Sequence, residues 1–273
     1  MSFSYASVVE TARLSARLQR IVLHVDDPAA LDVKRAGDSA VGIYFAGSAS
    51  DETDSSEGRN YSVRRHDGDR ITVDVVLHDA GPGTDWASTT RPGDRVGLDH
   101  ARSWYRPGPD TDWQLLVTDL SGLPATARIL EEMSEATATT LIAEVAGTDD
   151  LDYLPKRPGI ALITSVGTGN GHGPSTLARA VTELEMRAGR GYCWFAGEAA
   201  ESRAVRKHLR GLGWTIDQYD ITGYWRQDSE AWDARFAEVQ DDVLAVYERA
   251  LTDGKEDKVA FEEFDEACER IGL

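Results

Sequence analysis

The pattern of the chain changes near Trp113, and no other feature constrains the fold as much. Downstream, short apolar runs alternate with helical stretches. Gln114-Leu115-Leu116-Val117 is compact and apolar, as in a strand buried on both faces. A helical stripe of Ile129, Leu130 and Met133 follows, with Pro124 in its first turn. Residues 140–145 and 159–165 read as strands, 174–187 as a helix, 192–196 as a strand and 198–209 as a helix. The last strand falls within residues 214–224. Such alternation predicts a parallel α/β sheet covered on both faces.

Upstream, the runs are shorter. Residues 17–25 carry Leu18, Ile21, Leu23 and Val25, and residues 41–45 are apolar. Residues 70–78 are the clearest strand: Ile71, Val73, Val75 and Leu77 share one face, and Thr72, Asp74, Val76 and His78 the other. Asp67-Gly68-Asp69 is a hairpin turn back to residues 61–65, and Pro92-Gly93-Asp94 is a second tight turn. Strands at this spacing suggest a small antiparallel barrel. The acidic stretch 51–58 reads as an exposed loop. The two patterns meet in residues 107–112, rich in Pro, Gly and Asp. A tail from residue 228 holds two helical stretches, broken at Asp253-Gly254-Lys255. Its apolar stripes run through Trp232, Phe236, Val239 and Val243, then Phe261, Phe264 and Ala267.

Charge and composition exclude several functions. A net charge of -18 disfavours nucleic acid or an anionic membrane surface as partner. No apolar run approaches the ~20 residues of a membrane span, and the N-terminus lacks signal-peptide features. Cys193 and Cys268 form no disulfide framework, which points to a reducing cytoplasm. The histidines are scattered without zinc spacing, so no metal site is expected. No G-x-S-x-G elbow supports nucleophilic catalysis.

The stretch Arg59-Asn60-Tyr61-Ser62-Val63-Arg64 places an aromatic between a cation and a hydroxyl. An Arg can neutralise a phosphate, a Tyr can lie against a flat ring, and a Ser hydroxyl can bond a ring nitrogen. Strand alternation puts Arg59, Tyr61 and Val63 on one face and Ser62 and Arg64 on the other. Reaching one ligand therefore requires a turn, a bulge or backbone contact. Taken alone, the stretch reads first as a strand whose Tyr covers core and whose arginines are solvated.

Other stretches stay open on their own residues. Gly81-Pro82-Gly83-Thr84-Asp85-Trp86-Ala87 reads as a backbone anion site or as a capped helix with a core Trp. Asp119-Leu120-Ser121-Gly122-Leu123-Pro124 stands where open α/β sheets bind ligands. Gly197-Glu198 closes another strand. The glycine-rich residues 167–173 lack a following Gly-Lys-Ser/Thr and read as a flexible loop. Tyr224, Trp225 and Arg226 read as an interface cluster or a pocket rim, and Arg203 and Arg206 as a wet helix face or a 2′-phosphate contact.

The order of these segments resembles the siderophore-interacting proteins, flavin-dependent ferric-siderophore reductases of the ferredoxin–NADP reductase superfamily. The resemblance rests on residues 59–64, on Val73-Asp74-Val75-Val76-Leu77-His78 and on residues 81–87. It continues through residues 119–125, Trp194-Phe195-Ala196-Gly197-Glu198-Ala199 and Gly223-Tyr224-Trp225-Arg226. Ser62 stands where the family often has Thr. Leu120 stands where it has Glu, and Leu98-Asp99-His100-Ala101-Arg102-Ser103 where it has a Gly-Pro-Arg-Gly segment.

The resemblance implies a β plus α/β fold: an N-terminal antiparallel six-stranded β-barrel, a parallel nicotinamide-binding α/β domain, and C-terminal helices. Its implied domains are an FAD-binding barrel (1–110), an NAD(P)H-binding-like domain (111–227) and a helical extension packed on the second domain (228–273). It places Arg59 on a flavin phosphate, Tyr61 on the isoalloxazine and Ser62 near the hydride-accepting nitrogen, with Val63 beside them. Tyr61 and Ser62 are then the residues nearest the chemistry. Asp74, Val76 and His78 would border the ribose or adenine, and Gly83, Thr84, Trp86 and Ala87 the pyrophosphate. Asp119, Ser121, Leu123, Pro124, Gly197 and Glu198 would flank the nicotinamide dinucleotide. Arg64, Arg102, Tyr224, Trp225 and Arg226 would meet an anionic chelate. The implied function is FAD-dependent reduction of ferric siderophores, releasing ferrous iron, with NADH, NADPH or reduced ferredoxin as donor. The alternatives are a ferredoxin- or flavodoxin-type NAD(P)H reductase and a non-enzymatic ferric-siderophore carrier. The expected form is a monomer without membrane insertion.

Overall fold

The computed structural model describes residues 3–45, 58–78 and 81–273, apart from the side chains of His100 and Glu230. The acidic stretch 51–57 lies outside the described residues.

Six strands close a barrel: β1 (Phe3–Arg13), β2 (Leu18–Val25), β3 (Ala40–Phe45), β4 (Arg59–Asp67), β5 (Arg70–Val76) and β6 (Arg95–Arg102). Their order is β1-β2-β5-β4-β3-β6, with every neighbouring pair antiparallel. Alternation is the cause. Ile71, Val73 and Val75 of β5 point inward, against Ile21, Leu23, Ile43, Val63 and Leu98. A short helix, α1 (Pro28–Leu31), follows β2, and α2 (Pro82–Thr89) follows β5.

The second half alternates as its sequence requires. The order is β7 (Trp113–Thr118), α3 (Leu123–Glu132), β8 (Ala138–Val145), β9 (Ile160–Val166), α4 (Leu177–Glu183), β10 (Gly191–Glu198), α5 (Ala199–Gly211) and β11 (Tyr219–Trp225). The sheet runs β11-β10-β7-β8-β9, and β10, β7, β8 and β9 pair in parallel. Leu116 packs into one layer and its neighbours Leu115 and Val117 into the other, so β7 is buried on both faces. Three expectations change. β9 is an edge strand that leaves Leu162, Ile163 and Val166 exposed, so cover on both faces stops short of it. The helix expected over 174–187 is only α4, because Ser175 and Thr176 turn toward Glu144 instead of entering a helix. The last strand starts at Tyr219, because Thr215 and Gln218 cap a short 3-10 turn ahead of it.

The barrel and the sheet belong to one compact unit, Met1–Tyr224, and Trp225–Leu273 forms another. In the latter, α6 (Ser229–Thr252) and α7 (Asp257–Arg270) enclose Val243, Cys268 and Leu273, with Trp232 stacked on Phe236 at 4.7 Å. Among the described residues no helix is long and apolar enough to cross a membrane.

Polar contacts lock the barrel to the sheet. Asp38, fully buried in the loop before β3, accepts from the Ser103 hydroxyl (2.5 Å), the Trp104 and Tyr105 N–H groups (2.9 and 2.7 Å) and the Trp194 indole N–H (3.2 Å). Arg17 of the barrel side reaches Asp150 at 3.2 Å. Arg128 of α3 donates to the Val63 carbonyl at 2.8 Å. Arg64 of β4 forks onto Glu131 of α3 at 2.6 and 2.5 Å. Those bonds hold the Glu131 carboxyl below the usual carboxylate range, against partial burial. A carboxyl depressed in the folded state stabilises above its unfolded value, about 4.3, and that contribution is lost as pH falls through the folded value. Glu131→Gln should therefore unfold at lower urea than the parent near neutral pH. The gap should close progressively below about pH 4.3. A gap independent of pH would rule out this assignment.

Candidate functional site

The site is assembled around β4. Val63 pairs with Val73, yet Arg65 pairs with Thr72, so one extra residue is inserted between them. The bulge lies beyond Tyr61 and Ser62, which stay in regular register with Val41 and Ala40 of β3. Ser62, Val63 and Arg64 are consecutive and all buried. Val63 points into the barrel, while Arg64 reaches Glu131 of α3.

Arg59 opens the strand, exposed, with one of its guanidinium nitrogens on the neighbouring Gly58 carbonyl at 2.9 Å. Tyr61 leans on an aromatic group: its ring centroid lies 6.4 Å from Phe45 and 6.0 Å from Trp86, and Phe45 and Trp86 stack at 4.8 Å. Burial pushes the Tyr61 phenol well above its ordinary value, and the Arg59 charge opposes this. Gly83 lies under that phenol. A Cβ there would fall 2.3 Å from the Tyr61 oxygen, so close approach of α2 requires glycine. The Thr84 hydroxyl accepts from the His78 N–H at 3.0 Å. Ala87 is buried and packs in the barrel core.

The Ser62 hydroxyl is buried and has no hydrogen-bond partner of good geometry. The Tyr224 hydroxyl, at the end of β11, is in the same condition. The two face each other closely enough that Ser62 favours ionisation of Tyr224. Burial dominates and pushes the Tyr224 phenol up, with the Asp38 charge adding to it. Trp194 meets the Tyr224 ring edge-on at 6.4 Å.

Several expected residues are committed elsewhere. Val63 has nothing left for a ligand: its side chain is core, its N–H donates to Ser39 and its carbonyl accepts from Arg128. Arg64 is no open cation for a chelate, since its guanidinium is buried on Glu131. Asp74 is held within the protein. It accepts two bonds from Arg20 (2.8 and 2.7 Å) and one from the Tyr153 hydroxyl. Val76 packs against the core of the sheet half. Arg102 ends β6 near Tyr44. Trp225 and Arg226 belong to the C-terminal unit, where Arg226 lies over the Trp232 ring at 4.1 Å. Arg206 is not a wet helix face; it is buried and donates to the Ile221 carbonyl.

At the carboxyl end of the parallel strands, Asp119 accepts from the Ser121 N–H and hydroxyl at 2.9 and 2.5 Å. Leu123 and Pro124 are buried in the first turn of α3. Leu120 is core as well. Glu198 caps α5, accepting from the Ala200 and Glu201 N–H groups at 2.6 and 3.1 Å. Gly197 faces Asp119 so closely that a Cβ would lie 3.2 Å from its Oδ2. These segments do meet, but their carboxylates serve the protein's own turns. Sequence reading missed Asp38, took Phe45 only as the end of an apolar run, and met Trp194 and Asn170 only inside longer stretches without giving them a role; the partners of Asp38, Trp194 and Asn170 lie far away along the chain.

Residues 46–102 match the model of the siderophore-interacting FAD-binding domain, and residues 111–228 match that of the siderophore-interacting protein. The chain belongs to the siderophore-interacting proteins. Its N-terminal half thus contains that family's FAD-binding domain. The ferric vibriobactin reductase ViuB of Vibrio cholerae is 29% identical over 181 residues, 62% of this chain and 64% of that protein. The NADPH-dependent ferric-chelate reductase of Escherichia coli is 23% identical over 168 residues, 60% of this chain and 63% of its own length. The matched region therefore spans under two thirds of these relatives. A siderophore utilization protein from T. fusca superposes with a TM-score of 0.71 at 29% identity, over 83% of this chain and 93% of that one. A ferredoxin NADP+ reductase from Neisseria gonorrhoeae shares the fold, with a TM-score of 0.61 at 16% identity over 82% of this chain and all of that one (100%).

The residues present fit a flavin. Tyr61 and Trp86 offer aromatic faces, Arg59 offers a cation, and the Ser62 hydroxyl is a buried polar atom in need of a partner.

Proposed function

We propose that this protein is an FAD-dependent reductase of ferric siderophores that releases their iron as the ferrous ion. The observation that carries the reading is the buried hydroxyl of Ser62, which faces the Tyr224 hydroxyl without forming a hydrogen bond of good geometry and stands next to Tyr61 on a strand of a family FAD-binding domain. A buried hydroxyl without a partner is costly, and a ligand nitrogen at that point removes the cost.

A bound flavin would supply the exchange between a two-electron donor and a one-electron acceptor. In this reading the chain contributes binding and shielding. Arg59 neutralises a phosphate of the cofactor, and Tyr61 covers the ring system. Ser62 offers its hydroxyl to the ring's reactive edge, and the Tyr224 hydroxyl stands behind it. Hard oxygen ligands hold ferrous iron less tightly than ferric iron, so reduction loosens the chelate. Arg102, at the end of β6, is the barrel cation proposed for an anionic chelate. The electron donor is NADH, NADPH or a reduced ferredoxin, and the compartment is a reducing cytoplasm. A net charge of -18 makes an acidic carrier protein the weaker match.

The test is direct. Purified protein should take up FAD and show a flavin spectrum. Mixed anaerobically with each donor it should bleach, and then recolour as a ferric chelate is added and ferrous iron is trapped. Protein that stays colourless with added FAD ends the proposal. One that binds ferric chelate but never bleaches is a carrier. Arg59→Ala should weaken FAD binding about tenfold, for loss of one charge-assisted phosphate contact. Its unfolding midpoint should not move, since the Arg59 side chain is exposed and its bond goes to the adjacent residue. FAD held as tightly as by the parent would refute the role of Arg59.

A further inference from the structure

The parallel sheet ends on β9, and nothing in that strand discourages a further strand from joining it. β9 pairs with β8 in unbroken register, from Thr139 opposite Ile160 to Val145 opposite Val166. Among the described residues its other side meets no strand. Sheet edges are ordinarily blunted by a charge, a proline or a bulge. The stretch Ile160-Ala161-Leu162-Ile163-Thr164-Ser165-Val166 has none of these. Residues 158–178 contain no Asp, Glu, Lys or Arg, in a chain where such residues make up 28%. Leu162, Ile163 and Val166 are 50%, 39% and 46% exposed. The opposite edge differs: β11 carries Asp220 and buries Tyr219 and Ile221.

The edge is also held in place. The glycine-rich residues 167–173 that follow it, expected as a flexible loop, are clasped by Glu144 of β8. This buried carboxylate accepts from the Thr168 and Ser175 hydroxyls (both 2.7 Å) and from the N–H and hydroxyl of Thr176 (2.7 and 2.9 Å). The Gly167 N–H donates to the Val145 carbonyl at 2.8 Å. Alternation then turns the backbone groups of Ala161, Ile163 and Ser165 toward β8, and those of Ile160, Leu162, Thr164 and Val166 away from it.

Charge decides which strand fits there. The occupant must lie along an uncharged strip, beside a groove that carries both signs. Ile163 and Ser165 line that groove with Arg179 and Glu183, one turn apart on α4, and with Glu185 just beyond the helix. A second copy of this chain meets both conditions. Antiparallel pairing of two β9 strands about a twofold axis at Ile163 sets Leu162 opposite Thr164 and Ile160 opposite Val166. All four outward residues are then used. The two α4 helices flank the same face in opposite directions, so Arg179 of each protomer turns toward Glu183 and Glu185 of its partner. Two chains of net charge -18 repel over most of their surface, and an uncharged edge is where they approach at least cost.

We propose that this protein forms a twofold dimer by antiparallel pairing of its β9 edges, in place of the monomer that the resemblance implies. The inference does not depend on the flavin reading.

The experiment is sedimentation equilibrium of the full chain, with and without FAD, from about 1 to about 300 μM. The mass should rise from monomer to dimer with a Kd of about 10 μM, as suits an interface at the small end of the range. Ile163→Lys sets two ammonium groups against each other at the axis. It should raise the Kd at least about tenfold, with the melting temperature near that of the parent because the side chain is partly exposed. Arg179→Glu should weaken the dimer about three- to tenfold, and adding Glu183→Arg should restore it, since the reversed pair still matches across the axis. Ile163→Cys should crosslink to its own copy under mild oxidation, because residues directly opposite in such a pair lie within reach of a disulfide. The native Cys193 and Cys268 are buried. Leu212→Cys, at an exposed position on another element, should not crosslink. A monomer throughout the concentration range overturns the inference. So does a dimer that Ile163→Lys leaves intact, or crosslinking of Leu212→Cys as fast as that of Ile163→Cys. If Ile163→Lys fails to fold, the charge exchange and the crosslink decide.

Discussion

Asp38→Ala should lower the unfolding free energy by about 3–5 kcal/mol, the largest stability effect expected of any single change here. The carboxylate is fully buried and accepts from four groups: the Ser103 hydroxyl, the Trp104 and Tyr105 N–H groups and the Trp194 indole. Truncation leaves these donors buried without an acceptor, and each such orphan costs about 1–3 kcal/mol before relaxation. The loss also has a direction in the fold. Ser103, Trp104 and Tyr105 belong to the segment joining β6 to β7, and Trp194 belongs to β10, so one residue ties the barrel, its exit and the sheet. Asp38→Asn should cost less, because its oxygen still accepts at one of the two positions while its amide nitrogen turns donor toward donor. Urea midpoints at constant m-value provide the measure. A loss under about 1 kcal/mol for Asp38→Ala would show that water replaces the carboxylate, and would remove Asp38 as the joint.

Ser62→Ala should have the opposite profile, with little effect on folding and a large one on chemistry. The Ser62 hydroxyl is buried without a partner, so deleting it removes a desolvation cost and breaks no good bond. Stability should hold or rise slightly. FAD should remain bound, since Arg59 and the Tyr61–Trp86 faces are untouched. Under the proposed function, reduction of the bound flavin by its donor should slow about 100-fold, the range seen when one positioned hydrogen-bonding group is deleted from a reaction centre. Stopped-flow bleaching at 450 nm, a wavelength of flavin absorbance in general, reads this directly (~100-fold, single-turnover). A rate within about threefold of the parent would place Ser62 outside the reaction, and its missing partner would then need another explanation.

Much of this was legible in the residues. Ile71, Val73 and Val75 alternate so regularly that a half-buried strand was the only economical reading, and they line the barrel. Gln114-Leu115-Leu116-Val117 is apolar at successive positions because β7 is covered on both sides. The opposite facing of Tyr61 and Ser62 called for a local irregularity at these residues; the bulge of β4 comes one step later, between Val63 and Arg65, and Tyr61 and Ser62 keep regular register with β3.

Individual site residues were less legible because a residue type names a capacity, not a partner. Asp74 and Arg64 were read as ligand groups from the family resemblance and the charge of Arg64. In the fold they face Arg20, Tyr153 and Glu131 and serve the joint between barrel and sheet. Asn170 was passed over because asparagine in a glycine-rich loop reads as turn chemistry. It accepts the Leu120 N–H, a partner that sequence spacing could not supply.

The sequence by itself determined the two architectures, since side-chain period and turn chemistry are local and survive without tertiary knowledge. It offered residues 59–64 as a flavin grip only through resemblance to a family, since their own pattern reads first as a strand. Only the tertiary structure decided which polar groups are spent and which are still open. That outcome depends on three-dimensional proximity: Asp38 reaches Trp194, Ser62 meets Tyr224, and Asn170 meets Leu120 across long stretches of chain. A buried polar atom shows its purpose through the partner it has or lacks, and partners are chosen by the fold.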